Sequence, residues 1–193
     1  MKNKRLRKDR IIKAAVIFIL VIAVIIVAIR GCYKSIEKMQ YPIEYTQLVE
    51  KYSAEYGVDK VLVYAVIKTE SGFDPKAKSS ENALGLTQIL PMTFDWLSFK
   101  IGDGAELDDL YEPETSIKYG TWFLDYLIEK YGKTETAVAA YHAGPGQVSE
   151  WLENDEYSDD GKTLKKIPFK DTNYYVEKVM KAYEVYSDLL NDK

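Results

Sequence analysis

The sequence is poorest in cysteine, in histidine and, past position 30, in arginine. One cysteine, Cys32, excludes an intramolecular disulfide framework and a cysteine-rich zinc site. One histidine, His142, excludes any site that needs two imidazoles. A Cys–His nucleophilic pair would have to join Cys32 to His142, and Cys32 lies just past a long apolar run that sets it apart. The acidic stretch Asp155–Asp160 lacks the ligand spacing of a calcium loop, so neither a metal nor any other cofactor is expected. Residues 41–193 hold sixteen basic and twenty-eight acidic side chains, a net of −12. With no arginine there to fork onto phosphate or guanine, nucleic acid is an unsuitable partner. No internal repeat occurs, and no alternating run is long enough for a substantial sheet.

What is present is one ordinary domain and a short extra segment. The 193 residues are 47% hydrophobic and 29% charged, enough apolar material for a core. Residues 1–40 carry ten Lys/Arg against only Asp9 and Glu37. They flank sixteen uncharged residues, Ala14 to Ile29, which Ile11 and Ile12 extend across Lys13. That length matches a spanning helix, and Lys13 can snorkel to the headgroups. Seven basic residues up to Lys13 against three from Arg30 to Gln40 orient the N-terminus to the cytoplasm. The expected organisation is a cytoplasmic basic segment (1–10), a single-pass signal anchor in the cell membrane (11–30), a juxtamembrane linker (31–43) and an extracytoplasmic domain (44–191). A cleaved signal peptide finds no Ala-x-Ala site, and a lipoprotein signal at Cys32 meets Arg30 where a small residue is usual.

The domain reads as mainly α. Helices are expected over 43–56, over 60–71 behind an Asp59 cap, over 93–99, from Pro113 to Gly132, over 134–143, over 147–152 and over 171–190. Residues 154–168 read as an exposed acidic loop. Within the second helix Val63, Val66, Ile67 and Glu70 are spaced 0, 3, 4 and 7, so Glu70 continues the apolar stripe. A carboxyl in that position is desolvated and lies near the negative end of the helix dipole, which favours its protonated form, as a general acid requires. The alternative is that the chain turns at Gly72 and Glu70 escapes to solvent. Periodicity alone leaves both open.

Four ordered blocks surround this residue. They are Glu70-Ser71-Gly72-Phe73-Asp74-Pro75, Ala83-Leu84-Gly85-Leu86-Thr87-Gln88-Ile89-Leu90-Pro91-Met92-Thr93, Ala139-Ala140-Tyr141-His142-Ala143-Gly144-Pro145-Gly146-Gln147-Val148 and Ile167-Pro168-Phe169-Lys170-Asp171-Thr172-Asn173-Tyr174-Tyr175-Val176. In this order and spacing they resemble the soluble-lytic-transglycosylase family, over roughly residues 45–190. The resemblance implies a compact helical domain of the lysozyme-like α+β superfamily, goose-lysozyme-like, that cuts peptidoglycan glycan strands. It implies Glu70 as the single catalytic acid/base and Ser71 as support for the bound sugar. It further implies a Gln88 amide that reaches substrate, a Tyr141 that meets an N-acetyl group, and a Tyr175 hydroxyl hydrogen-bonded to Glu70. Two positions depart from the family pattern. His142 stands where Asn is usual and is expected to bind substrate in a retuned way; Thr87 stands where Met is usual and is expected to alter the cleft.

Glycosidases commonly pair an acid with a second carboxylate. Asp74, just before Pro75, reads as a turn residue, and Glu81 as a solvated loop residue. The resemblance therefore implies a substrate-assisted reaction yielding 1,6-anhydromuramoyl ends. A hydrolytic muramidase and a non-catalytic glycan-binding or scaffold module of a cell-wall or secretion complex are the competing readings. Tyr52, Tyr56, Tyr119, Tyr126, Tyr183 and Tyr186 fall at helical spacings and read as core or half-buried; Trp151, beside the Gly-Pro-Gly turn, is the aromatic expected to line the cleft.

Overall fold

The computed structural model describes the backbone of residues 2–191 and the side chains of residues 20–32 and 34–191. The chain divides into two compact units, residues 1–42 and 43–193.

The first unit is one helix, α1 (Lys2–Gln40). Residues 31–40, read from sequence as a linker, continue that helix. Every large apolar side chain from Leu20 to Ile29 is exposed. Among the described residues no helix is long and apolar enough to cross a membrane. The described part of the expected span, residues 20–30, rises about 16 Å at 1.5 Å per residue, about half the thickness of a hydrocarbon core. The rest of that span, 11–19, and the basic segment 1–10 lie outside the residues whose side chains are described.

The second unit contains α2 (Thr46–Tyr56), α3 (Lys60–Glu70), α4 (Pro91–Ile101), a 3-10 turn (Leu107–Tyr111), α5 (Pro113–Tyr131), α6 (Thr134–Ala143), α7 (Pro145–Leu152) and α8 (Lys170–Asn191). Among the described residues there is no strand; the β component is two single-residue antiparallel bridges, Lys78 with Leu84 and Leu84 with Ile89. α3 is the centre. Leu62 to Ile67 are six consecutive buried residues, the mark of a helix covered on all sides. Burying side chains such as Leu62, Val66 and Ile67 stabilises the fold by roughly 1.5–3 kcal/mol each. α8 lays the stripe Tyr175, Val179, Ala182, Tyr186 and Leu189 along α3, and the Tyr186 and Tyr64 rings stack at 5.4 Å. Asp59 ties the two helices together at one end. Its Oδ1 accepts from the Val61 N–H (2.9 Å) as the N-cap, and its Oδ2 accepts from the Tyr183 hydroxyl (2.6 Å).

Both helices expected to start late begin earlier, at prolines. Pro91 opens α4 and Pro145 opens α7, each in the first turn, where a missing N–H costs nothing. The 3-10 turn has no long period to betray it; it is held where the Glu106 N–H donates to the Asp109 carboxylate (2.8 Å) and where Leu110 is fully buried. The acidic loop is more ordered than its composition suggests. Asp160 Oδ1 accepts from the N–H groups of Lys162 and Thr163, and Ser158 and Leu164 are buried beneath it. Lys165–Asp159 and Lys166–Glu156 ion pairs close its outer side. Tyr52, Tyr119 and Tyr186 are buried, and Tyr56, Tyr126 and Tyr183 half-buried.

Candidate active site

Glu70 is the last residue of α3, so the most enclosed helix of the domain ends in a carboxyl group. The next residue locks that end. Ser71 Oγ donates to the Leu86 carbonyl (2.8 Å), lies 3.2 Å from the Ile67 carbonyl, and accepts from the Phe73 N–H (3.2 Å). The hydroxyl that the family pattern assigns to sugar support is thus engaged with three backbone groups, which fixes the turn following the acid.

The segment 77–90 folds back beside this turn. Gly85 has φ +75°, and a Cβ there would lie 1.9 Å from the Leu110 carbonyl oxygen, so only glycine fits. Gln88 holds a left-handed φ of +49°, and its side-chain amide donates to the carbonyls of Gly85 (2.9 Å) and Ala77 (3.1 Å). Its nitrogen therefore secures the loop, and the amide oxygen is the atom left for other partners. The Thr87 side chain turns away from the cleft. It is 1% exposed and points into α5, where Oγ1 donates to the Ser116 carbonyl (2.8 Å) and the Thr87 N–H donates to Ser116 Oγ (3.1 Å). Gly120 makes room for it: a Cβ there would meet Thr87 Cγ2 at 2.5 Å. The Thr87 backbone carbonyl faces the other way and accepts from the Tyr141 hydroxyl (2.8 Å).

α6 and α8 supply the remaining walls. The Tyr175 hydroxyl donates to Glu70 Oε1 at 2.5 Å, joining residues 105 positions apart. The His142 ring stacks on the Tyr175 ring with centroids 4.5 Å apart, and its Nδ1 is 3.2 Å from Thr172 Oγ1. Tyr141 and His142 also line a groove of about 510 Å³ with Leu90, Met92, Thr93, Trp96, Phe123, Tyr126 and the Ala143-Gly144-Pro145 bend. Its wall is mostly apolar and aromatic, with Trp96 edge-on to Tyr126 at 4.9 Å. Met92 is 82% exposed at the rim.

The electrostatics single out Glu70. Burial pushes its carboxyl up to about 7, even though the Tyr175 hydroxyl and the Lys178 ammonium both favour the ionised form. Burial, and then the Glu70 charge, hold the Tyr141 and Tyr175 phenols well above their usual range, so both stay neutral donors. Loss of solvent against its neighbours lowers the His142 imidazole, with the Asp171 carboxylate opposing. Among the described residues no carboxylate lines the groove itself; Glu70 lies behind its His142 wall, reached through Tyr175. Asp74 is exposed and accepts from the Lys76 N–H (2.9 Å) as a turn residue, and Glu81 is exposed.

Glu70, Tyr141, His142 and Tyr175 therefore come together, while Ser71 and Gln88 brace the loops around them. Trp151 is not part of the groove. It is 5% exposed and edge-on to Phe169 at 5.0 Å, because Val148, Trp151 and Leu152, spaced 0, 3 and 4, form the buried face of α7. The groove residues that sequence reasoning missed are Leu90, Met92, Trp96 and Phe123. An exposed methionine next to Pro91, on the face of α4 opposite the buried Phe94 and Leu97, was the available signal.

Comparison with known proteins agrees with this geometry. The family model "Transglycosylase SLT domain" matches residues 47–164. The soluble lytic murein transglycosylase of Salmonella typhimurium is 36% identical over 151 residues, covering 76% of this chain and 23% of that protein. The membrane-bound lytic murein transglycosylase C of Glaesserella parasuis is 31% identical over 168 residues, covering 75% of this chain and 46% of that one. Among solved structures, the 70 kDa soluble lytic transglycosylase of Escherichia coli superposes with a TM-score of 0.71 at 28% identity, covering 80% of this chain and 26% of that chain. The chain thus spans about a quarter of the length of the Salmonella and E. coli proteins.

Proposed function

The chain belongs to the transglycosylase SLT domain family, and on that premise we propose that it is a peptidoglycan lytic transglycosylase cutting the bond between N-acetylmuramoyl and N-acetylglucosaminyl units without consuming water. The observation that carries the reading is Glu70: a carboxyl pushed up to about 7, hydrogen-bonded to Tyr175 beside an aromatic groove whose own lining holds no carboxylate.

A lone carboxyl must act twice. Protonated Glu70 gives its proton to the glycosidic oxygen as the bond from that oxygen to the anomeric carbon breaks. The carbonyl oxygen of the muramoyl acetamido group stabilises the positive centre, in place of an enzymic nucleophile. Glu70, now a carboxylate accepting from Tyr175, takes the proton of the sugar's own 6-hydroxyl, whose oxygen closes onto the anomeric carbon. The product is a 1,6-anhydromuramoyl end, and Glu70 is again protonated. A value near neutrality suits both halves of this cycle. The Tyr141 hydroxyl, already donated to Thr87, presents lone pairs that suit the acetamido N–H.

Attachment to the membrane through α1 belongs to the same proposal. Its exposed apolar residues run all round the helix, basic residues flank the run, and a transglycosylase C relative is named as membrane-bound. The domain from residue 43 would then act outside the cytoplasmic membrane.

The test is a digest of purified peptidoglycan read by mass spectrometry, with wild type and Glu70→Gln side by side. Anhydromuramoyl ends from the wild type, lost by at least a hundredfold in Glu70→Gln, are expected. Reducing ends would hand the groove to water and make the protein a muramidase. Glycan bound but uncut by either protein would make it a binding module.

A further inference from the structure

We propose that His142 is a positioning residue for Glu70, acting through Tyr175: the imidazole, fixed by Thr172 and stacked on the Tyr175 ring, holds the phenol where its hydroxyl meets the carboxyl. The inference rests on Glu70 being the acid.

The connection is continuous. Thr172 is 2% exposed and sits in the first turn of α8, so its hydroxyl is a fixed point. His142 Nδ1 meets that hydroxyl at 3.2 Å. One turn along α8 from Thr172, Tyr175 lies under the imidazole at 4.5 Å and 30°, and its hydroxyl reaches Glu70 Oε1 at 2.5 Å. The imidazole thus lies over the ring that carries the donor. An asparagine at 142 could reach Thr172 but offers no ring to lay over Tyr175, so this device belongs to the histidine.

The groups around His142 define what its replacement should change. They are Thr172, Asp171 and Tyr175 on α8, with Tyr126 on α5 and Tyr141 on its own helix lining the same groove; beyond Tyr175, Glu70 on α3 and Lys178 on α8 interact with each other. The Tyr175 hydrogen bond pulls Glu70 towards ionisation. Loosening that bond must therefore move the carboxyl titration upward, a change that lost packing elsewhere would not produce.

Three measurements on the whole chain decide the matter. Carboxyl NMR of 13C-glutamate-labelled protein, with Glu70→Gln assigning the resonance, follows Glu70 directly and needs no turnover. In His142→Ala the midpoint is expected to rise by half a pH unit or more, and in His142→Phe, which keeps the stack, by less than half of that. Steady-state cleavage should show kcat down about tenfold in His142→Ala with KM within twofold. In a Tyr175→Phe background, His142→Ala should then cost less than twofold, because the hydroxyl it positions is gone. An unmoved Glu70 midpoint overturns the proposal, as does an equal cost in both backgrounds or an effect on KM alone. Loss of activity in Glu70→Gln but not in His142→Ala would sink the positioning role and leave the acid assignment standing. Full activity of Glu70→Gln would sink the acid assignment instead.

Discussion

At the residue scale the decisive quantity is the protonation of Glu70. A general acid must carry its proton, so kcat/KM is expected to fall as pH rises through about 7, with the limb following the Glu70 carboxyl. The same elevation has a cost in stability. The native state holds this proton more tightly than the unfolded chain, whose carboxyl has its ordinary value of 4.5. The cost is therefore absent below about 4.5, grows between there and about 7, and is complete above. Glu70→Gln keeps the shape and the Tyr175 acceptor while removing the charge. It should be more stable than wild type at pH 8 by about 1–3 kcal/mol, discounted for partial exposure, and level with it near pH 4.5. Melting curves at the two pH values check the sign. A variant less stable at pH 8 would mean the carboxylate is not penalised where it sits.

At the element scale, the site depends on how the turn over 85–88 meets α5. Gly120→Ala would drive a methyl to within 2.5 Å of Thr87 Cγ2 and displace the carbonyl that holds Tyr141. The expected outcome is a loss of about 1–3 kcal/mol in chemical denaturation together with reduced kcat. Asp59→Ala removes the cap of α3 and its tie to Tyr183, and should cost about 1–2 kcal/mol without changing the pH limb. The helices were legible in the sequence because their signals are local, Asp59 before α3 and Pro113 opening α5; the stripe running to Glu70 left burial and escape to solvent equally open until the motif blocks were read. The four motif blocks likewise led to Tyr175 and Tyr141. What was not legible depends on pairing across the chain. Nothing near Ser71 reveals that Leu86 accepts its hydroxyl, and nothing near Thr87 reveals Ser116 and Gly120. Trp151 shows the limit of reading neighbours. Its proximity to the Gly-Pro-Gly turn suggested the groove, but it shares the buried face of α7 with Val148 and Leu152 and packs onto Phe169.

At the scale of the whole molecule, charge is segregated. Residues 1–40 carry a net of +8 and residues 41–193 a net of −12. If α1 anchors the chain, the full-length protein should sediment with anionic vesicles and resist extraction by salt, while residues 43–193 stay in the supernatant. Release of the full chain by salt alone would reduce the anchor to a surface contact. The acidic half should add little attraction of its own to an anionic wall. Finally, placing the acid at the end of the helix that the rest of the domain surrounds governs how activity is lost. Amide protons of Val63 to Ile67 have no local route to solvent, so they should exchange only when the whole domain opens, and among the slowest in the chain. Many active sites loosen before their scaffolds melt. Here, in increasing urea, turnover and helical circular dichroism should fall on one curve, because the acid ends the helix that the rest of the domain encloses.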